Sequence, residues 1–517
     1  MRTPALALLV AILLGAAVAV AVESDDQSGL PRERRPPVVV LVLDEFPTDT
    51  LTAPGGRIDA NRYPNFAALA GSSTWFRNGH TIFDSTFKAV PSILDGRMPR
   101  PRTAADVRSH QPSIYHLLND LGYAVVKAES ASAICPPWIC ANTRTRRPSV
   151  LRRLAGGGRP ARLHKWIGAI RRRPRPTFYF HHALLPHEPW IYLPSGRQSR
   201  PTGNDPIPGI NKPGGWGDPG LTDHNHLRHL LQVGFTDYEL GRLMRRLRRT
   251  GLFDRALLIV VADHGYSFQL DVVSRRQVTE RNIEQIAPVP FFVKAPGQTQ
   301  GRVDDSVVRN VDVVATIADL LNVPVPWRND GHSAFSEFTG ARRHVSLPRR
   351  DFSRVVSIDV GELERRREAL RRWRAAKFGT GLQSELVFGD PWAAAYRIGP
   401  HRELLGRRVR AAALPDSRTV EGELANAELL DHVGPGDSIL PTRVVGRLEG
   451  SPPGAVRDLA VVVNGRIRAV GRSFHLRGRR PEFFSLIVPE TALRRGDNAL
   501  DLLEVQPGGR LVSVLDS

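Results

Sequence analysis

A near-continuous run of β-branched and apolar residues, PPVVVLVLDEF at 36–46, constrains the fold more than any other stretch of the chain. A strand of that composition has no polar face to offer water, so it belongs in a sheet covered on both sides. A second run of the same kind, ALLIVV, spans 256–261. Both end in residues that carry chemistry: Asp44 and Glu45 after the first, Asp263 and His264 after the second. Ligands of open α/β sheets gather at the carboxyl ends of the strands. Around these runs, helical patterns at 63–72, 112–118, 226–250 and 311–321 alternate with strand patterns at 123–127, 177–182 and 290–294. That alternation predicts an α/β domain.

Between the two acidic strand ends lies DSTFKAVPSILDGRMP, residues 84–99. It offers three hydroxyls, Ser85, Thr86 and Ser92, on a loop that runs into a short apolar helix closed by Gly96. A helix N-terminus there favours a bound anion. Carboxylates with one imidazole suit Mg²⁺, Mn²⁺, Ca²⁺ or Zn²⁺, and a hydroxyl beside such a cation is activated as a nucleophile. His187, flanked by prolines in LLPHEPW, is held in an extended loop and is a candidate substrate contact. Each residue also has a structural reading. Asp44 and Glu45 can cap the next element, Ser85 and Thr86 can cap a helix, and Asp263-His264-Gly265 can be a strand-ending turn.

The net charge of +20 and pI of about 10.9 come from scattered arginines without a nucleic-acid-binding module, so nucleic acid is not an expected partner. The N-terminus has one early arginine, an apolar run over 5–22 and then three acids. This order predicts a single membrane anchor with an extracytoplasmic domain, or a secreted chain if the segment is cleaved. Two cysteines, Cys135 and Cys140 in ICPPWIC, are too few for a structural zinc site and predict a disulfide. The expected organisation is an anchor or signal at 1–22, a tether at 23–37, a catalytic domain at 38–345, a helical extension at 346–430 and a β-rich accessory domain at 431–517. In the extension, 360–378 reads as a basic amphipathic helix, either a solvated one packed through Leu363, Leu370 and Trp373 or one lying on an anionic membrane surface. Short alternating runs with Asn-Gly and Gly-Asp-Asn turns predict a β-sandwich after about residue 440.

Taken in order, these segments resemble the sulfatase-like branch of the alkaline phosphatase superfamily over roughly residues 37–340. VLVLDEF is similar to that family's first metal-binding strand, and VVADHG to its second metal motif. GRMP at 96–99 matches its closing G-R-x-P and aligns Thr86 with the family nucleophile. TDYELGRL, VPFFVKAPG, VRNVDVVATIADLLNVPVP and NDGHSAF are similar to later segments. The resemblance implies a mixed sheet flanked by helices. Sulfatases of the family need Cys or Ser at the nucleophile, followed by Pro-Ser-Arg, for conversion to formylglycine; here Thr86 is followed by Phe87-Lys88-Ala89. A threonine nucleophile instead resembles the lipoteichoic acid synthase and phosphoglycerol transferase group. That resemblance implies one divalent cation, Mn²⁺ first and Ca²⁺, Mg²⁺ or Zn²⁺ as the other options. Its ligands are drawn from Asp44, Glu45, Thr86, Asp263 and His264, with His187 and Lys88 toward the substrate. It implies hydrolysis or transfer of phospho(di)ester groups on an anionic envelope lipid or glycan. Two other readings stay open: a sulfate-ester hydrolase without formylglycine, and a non-catalytic envelope binding protein. A two-zinc site is a further possibility of the superfamily, with Asp223, His226 and His332 as spare ligands.

Overall fold

The computed structural model describes residues 35–129, 131–140, 158–199, 217–270, 274–410, 414–417, 419–425, 432–475 and 481–515. Seven strands make the main sheet: β1 (Val38–Asp44), β2 (Thr74–Phe76), β3 (Ala124–Ala128), β4 (Thr177–Pro186), β5 (Leu257–Ala262), β6 (Phe291–Lys294) and β7 (Arg302–Asp304). Their order is β3-β4-β1-β5-β6-β2-β7. β1 lies between β4 and β5 and runs parallel to both, whereas β6 is antiparallel to β5 and β2, so the sheet is mixed. Every residue of β1 is buried, as its composition requires.

The helices named below are α1 (Pro64–Ala70), α2 (Thr86–Asp95), α3 (Ile114–Asp120), α4 (Arg159–Ala169), α5 (Pro219–Arg249), α6 (Val313–Leu320) and α7 (Val360–Phe378). The two-residue period of β1 divides the core into two layers. Val39, Leu41 and Leu43 pack with Leu163 and Trp166 of α4 and with Leu240 and Leu243 of α5. Val38, Val40 and Val42 pack on the other face with Ile93 of α2, Leu117 of α3 and Ile317 of α6. This is the expected α/β sheet flanked by helices. α5 begins seven residues before the expected start at 226, because Asp218 accepts from the Leu221 amide as N-cap and Pro219 opens the helix.

The D-x-x-x-G segment of α5 has a packing role. The Asp237 carboxylate accepts from the Asn65 and Phe66 amides and from Asn65 Nδ2, so it caps α1 from a neighbouring helix. One turn later, a Cβ on Gly241 would sit 2.4 Å from Asn65 Oδ1, so only glycine leaves room for that cap.

α7 packs differently from its sequence reading. Leu363 is buried, but Trp373 is exposed and Leu370 only half-buried. The inward face is Arg367, Arg371 and Arg374, which converge on buried Asp49 just after β1. The basic helix therefore clamps the exit of the central strand.

After α7 the C-terminal part forms two four-stranded antiparallel sheets. One is β10 (Glu421–Leu424), β11 (Arg443–Glu449), β15 (Glu482–Ile487) and β14 (Phe474–His475); the other is β13 (Arg466–Arg472), β12 (Asp458–Val463), β16 (Leu500–Val505) and β17 (Leu511–Ser513). Val444, Leu448, Phe484 and Leu486 of the first meet Leu459, Val461, Val463 and Leu502 of the second in one core, the arrangement of a β-sandwich. A two-stranded pairing of β8 (His344–Pro348) with β9 (Val355–Asp359) precedes α7. Cys135 and Cys140 form the expected disulfide.

The localisation expectation is corrected. Among the described residues, no helix is long and apolar enough to cross a membrane. The segment assigned to a membrane anchor, 1–22, lies outside the described residues.

Candidate active site

The carboxyl end of β1 separates two consecutive carboxylates. Its pairing with β4 is regular through Leu43 and shifts at Asp44, and the next residue, Glu45, has φ 59°. A left-handed backbone at a non-glycine residue is sparsely populated and marks a position held by its surroundings. The turn is pinned on its other side by β5, where the Asp263 amide donates to Leu43 O and the Phe46 amide to His264 O.

Asp44 stays in the centre. Its Oδ1 lies 3.4 Å from Thr86 Oγ1, and its Oδ2 lies 3.6 Å from His182 Nε2. Thr86 is the first residue of α2, with Ser85 as an extended N-cap residue, and its Oγ1 is also 3.2 Å from His264 Nε2. His264 Nδ1 sits 2.9 Å from Gly265 O, so Nδ1 carries the proton and the Nε2 lone pair faces Thr86. Asp263 Oδ1 accepts from the Glu45 and His264 amides, while Oδ2 lies 3.6 Å from His264 Nε2. Thr81 and Asn310 hold the Asp263 carbonyl, which fixes the whole turn.

Asp44, His182 and Asp263 each offer one donor atom, and these atoms lie within 4.8 Å of one another. Burial pushes the Asp44 carboxyl well above the usual carboxylate range, and Asp263 and Glu45 push the same way. Both ring nitrogens of His182 and Asp263 Oδ2 are buried without a hydrogen-bond partner. Each such atom costs about 1–3 kcal/mol unless something satisfies it. A buried cluster of two carboxylates and an imidazole with unpaired nitrogens fits a divalent cation, which Asp44, His182 and Asp263 would hold.

Glu45, expected beside Asp44 as a ligand, turns to a different set of partners. Its Oε1 accepts from Arg275 and Arg276, and His187 Nε2 lies 3.5 Å away. Burial raises its carboxyl, but Arg275 and Arg276 outweigh that and hold it well below the carboxylate range. His187 is buried beside this ion group. Its Nδ1 lies 2.6 Å from Glu188 O and its Nε2 accepts from Arg276 Nη2 at 2.6 Å. Lys88, expected to face substrate, is drawn off by the following loop: its Nζ donates to Arg100 O, Thr103 O and Thr103 Oγ1 at 2.6–2.8 Å. The spare zinc ligands do not converge either. Asp223 pairs with Lys377, His226 stacks on Phe268, and His332 stacks on Phe338.

The remaining matched segments brace the Thr86 loop. Asp84 accepts from the Val278 amide and from Arg350. Gly96 has φ 71° and leaves no space for a Cβ beside Asn329, and the Met98 amide donates to Asp330. GRMP and NDGH are thus two sides of one contact.

His182 is the site residue that the sequence reading did not single out. Its signal was the His181-His182 pair inside an aromatic, apolar strand pattern, where both rings need partners on opposite faces.

A family model described as Sulfatase matches residues 159–323, which takes in β4, α5, β5 and β6 and leaves β1 and Thr86 outside. Among curated proteins, the chain is 30% identical over 119 residues to an extracellular sulfatase SULF-1 homolog of Drosophila melanogaster, covering 23% of this chain and 10% of that protein. It is 31% identical over 98 residues to arylsulfatase K of Bos taurus, covering 19% and 18% respectively. The chain therefore spans less than a fifth of either relative. Among solved structures, the phosphonate monoester hydrolase SpPMH from Silicibacter pomeroyi is similar with a TM-score of 0.42 and 17% identity, over 60% of this chain and 79% of that one. The chain is thus similar to sulfatases over residues 159–323 and over short stretches of these curated relatives.

Proposed function

We propose that this chain is a metal-dependent hydrolase or transferase that cleaves phospho(di)ester groups through Thr86. The observation that carries the reading is the placement of Thr86 Oγ1, 3.4 Å from Asp44 Oδ1 and 3.2 Å from His264 Nε2 at the start of α2. A divalent ion held by Asp44, His182 and Asp263 would supply charge neutralisation at the transferring group and would lower the pKa of a neighbouring hydroxyl. Asp44 Oδ1 and His264 Nε2 orient the Thr86 hydroxyl and are the nearest acceptors for its proton. Oγ1 attacks phosphorus, the Oγ1–P bond forms, and the bond to the leaving oxygen breaks as that oxygen takes a proton from solvent water. The phospho-threonine is then discharged to water, or to a sugar or lipid hydroxyl. Arg276 and His187 form the cationic and polar rim on the Glu45 side, suited to an anionic headgroup. The substrate class we favour is an anionic envelope lipid or glycan.

The curated relatives favour a second reading, sulfate-ester hydrolysis by the unmodified threonine. One experiment ranks the two. Wild type, Thr86→Ala and Thr86→Ser are compared on an aryl phosphodiester and an aryl sulfate, with bound metal quantified in each. The proposal expects phosphodiester turnover in wild type, partial retention in Thr86→Ser, and a loss of at least about 10³-fold in Thr86→Ala with metal retained. Full phosphodiesterase activity in metal-loaded Thr86→Ala overturns the nucleophile assignment, and aryl sulfate as the better substrate overturns the phosphoryl one.

A further inference from the structure

We infer that the outward face of helix α8 (Gly381–Phe388), with Arg397 and Arg402 beside it, docks this protein on an anionic lipid surface. This docking is independent of the chemistry at Thr86.

The helix is built inside out. Its ends are ordinary: the Thr380 hydroxyl accepts from the Gln383 amide as N-cap, and Gly389 closes the helix with φ 70°. Its inward side is polar. The Gly381 amide donates to Asp59 Oδ2 at 2.7 Å, and a Cβ on Gly381 would lie 2.4 Å from Asp59 Oδ1. Ser384 Oγ donates to Asp390 O at 2.6 Å and accepts from the Ala394 amide at 2.9 Å. Asn61 Nδ2 donates to the Glu385 carboxylate. At about 100° per residue, Leu382 and Leu386 fall opposite Ser384, with Val387 on the flank. They are 57%, 78% and 65% exposed. A surface helix normally turns such residues to the core. Here hydrogen bonds on the polar side fix the opposite orientation, and a fixed apolar patch of this kind marks a contact surface.

The surroundings decide the occupant. A groove of about 670 Å³ beside the helix is lined by Ala376, Val387, Phe388, Ala394, Arg397 and Arg402. The Arg397 guanidinium lies 5.4 Å from the Phe388 ring centroid, and its Nη2 donates to Arg402 O. Neither arginine meets a carboxylate among the described residues. Of the other charged groups at the groove, Lys377 is paired with Asp223, and Glu403 lies 3.5 Å from His401. The stretch 397–410 carries five arginines against one acid, Glu403, in a chain of net charge +20. A bilayer with anionic headgroups complements both features: acyl chains cover the leucines and valine, and headgroup phosphates meet the arginines. A second copy of the chain fits less well. The helix is only about 12 Å long, far short of the roughly 800 Å² per partner of a stable interface, and pairing would bring like charges together. The contact is peripheral, since spanning a bilayer takes about 20 residues.

The test places an environment-sensitive fluorophore on the helix in the full chain. Cys135 and Cys140 are joined to each other, so Leu386→Cys introduces the sole free thiol. The labelled protein is mixed with vesicles of phosphatidylglycerol and phosphatidylcholine, or of phosphatidylcholine alone. Emission from position 386 should shift to the blue, and be quenched by lipids carrying a quencher on their acyl chains, with the anionic vesicles only. A label at Thr299→Cys, exposed in the turn between β6 and β7, should stay unquenched. Arg397→Gln combined with Arg402→Gln should weaken the response at position 386 at least about fivefold at fixed lipid. No response at 386 with either vesicle overturns the proposal, as does an equal response to both or quenching at 299 as well as 386. A response that grows with protein concentration in the absence of lipid overturns it in favour of a second copy. An unchanged response in the double arginine variant overturns the role of those two residues.

Discussion

Replacing Asp49 with asparagine keeps the shape of the side chain and removes the charge that three arginines of α7 surround. Asp49 is 1% exposed, with Arg367 Nε at 2.9 Å from its carboxylate and Arg371 Nη1 at 2.7 Å. Arg374 donates to the Asp49 and Thr52 carbonyls. Removing one partner of a buried ion pair costs about 3–5 kcal/mol, because the other charge stays buried. Glu364 and Glu368 also meet Arg371, and Asn78 meets Arg367, so the lower end, about 3 kcal/mol, is expected. With a urea m-value of about 3 kcal/mol/M, the unfolding midpoint falls by about 1 M at pH 7. The pH dependence is a second check. Burial raises the Asp49 carboxyl, but Arg367 and Arg371 outweigh it and hold it below its ordinary value. A depressed carboxyl stabilises the fold above its unfolded pKa of about 4, and that contribution is lost as pH falls through the folded value. The gap between wild type and Asp49→Asn therefore narrows below about pH 4. A cost under about 1 kcal/mol at pH 7 would refute the idea that α7 is held by a desolvated charge cluster.

Chelation of divalent ions from purified protein should abolish phosphodiester turnover, and added Zn²⁺ or Mn²⁺ should restore it; full activity in a metal-free chain contradicts the proposed chemistry. Gly241→Ala should lower stability by about 1–3 kcal/mol in urea unfolding despite alanine's helix propensity, because the new Cβ displaces Asn65 from Asp237. Burial pushes the Asp237 carboxyl up to about 6. A raised carboxyl contributes stability that is full below its unfolded pKa and is lost as pH rises through the folded value. Wild-type stability from this group should thus fall by up to about 3 kcal/mol between pH 4 and 6, and Asp237→Asn should flatten that slope.

The strands of the main sheet were legible because burial on both faces leaves few alternatives to a β-branched run such as 38–44. Asp44, Asp263 and His264 were legible because they terminate such runs. Thr86 needed its spacing to Gly96-Arg97-Met98-Pro99, a segment in which Gly96 and Met98 lock against Asn329 and Asp330. What stayed hidden depends on pairing between distant segments. His182 looks like any aromatic-rich strand residue until the β1–β4 register sets it beside Asp44. Glu45 looks like a second ligand until its left-handed backbone and two arginines from 275–276 turn it away. The arginines of α7 read as a solvated face, since nothing near them in sequence reveals Asp49.

The candidate cation ligands Asp44, His182 and Asp263 belong to or directly follow three adjacent strands, β1, β4 and β5, yet they are far apart along the chain. An unfolded polypeptide cannot gather such donors, so almost all of the ion's binding free energy is available to the folded sheet alone. An ion bound there would work as a rivet through the carboxyl edge of the sheet. Its departure and the fraying of that edge would become one event, and metal occupancy would double as a gauge of whether the central strands are in register.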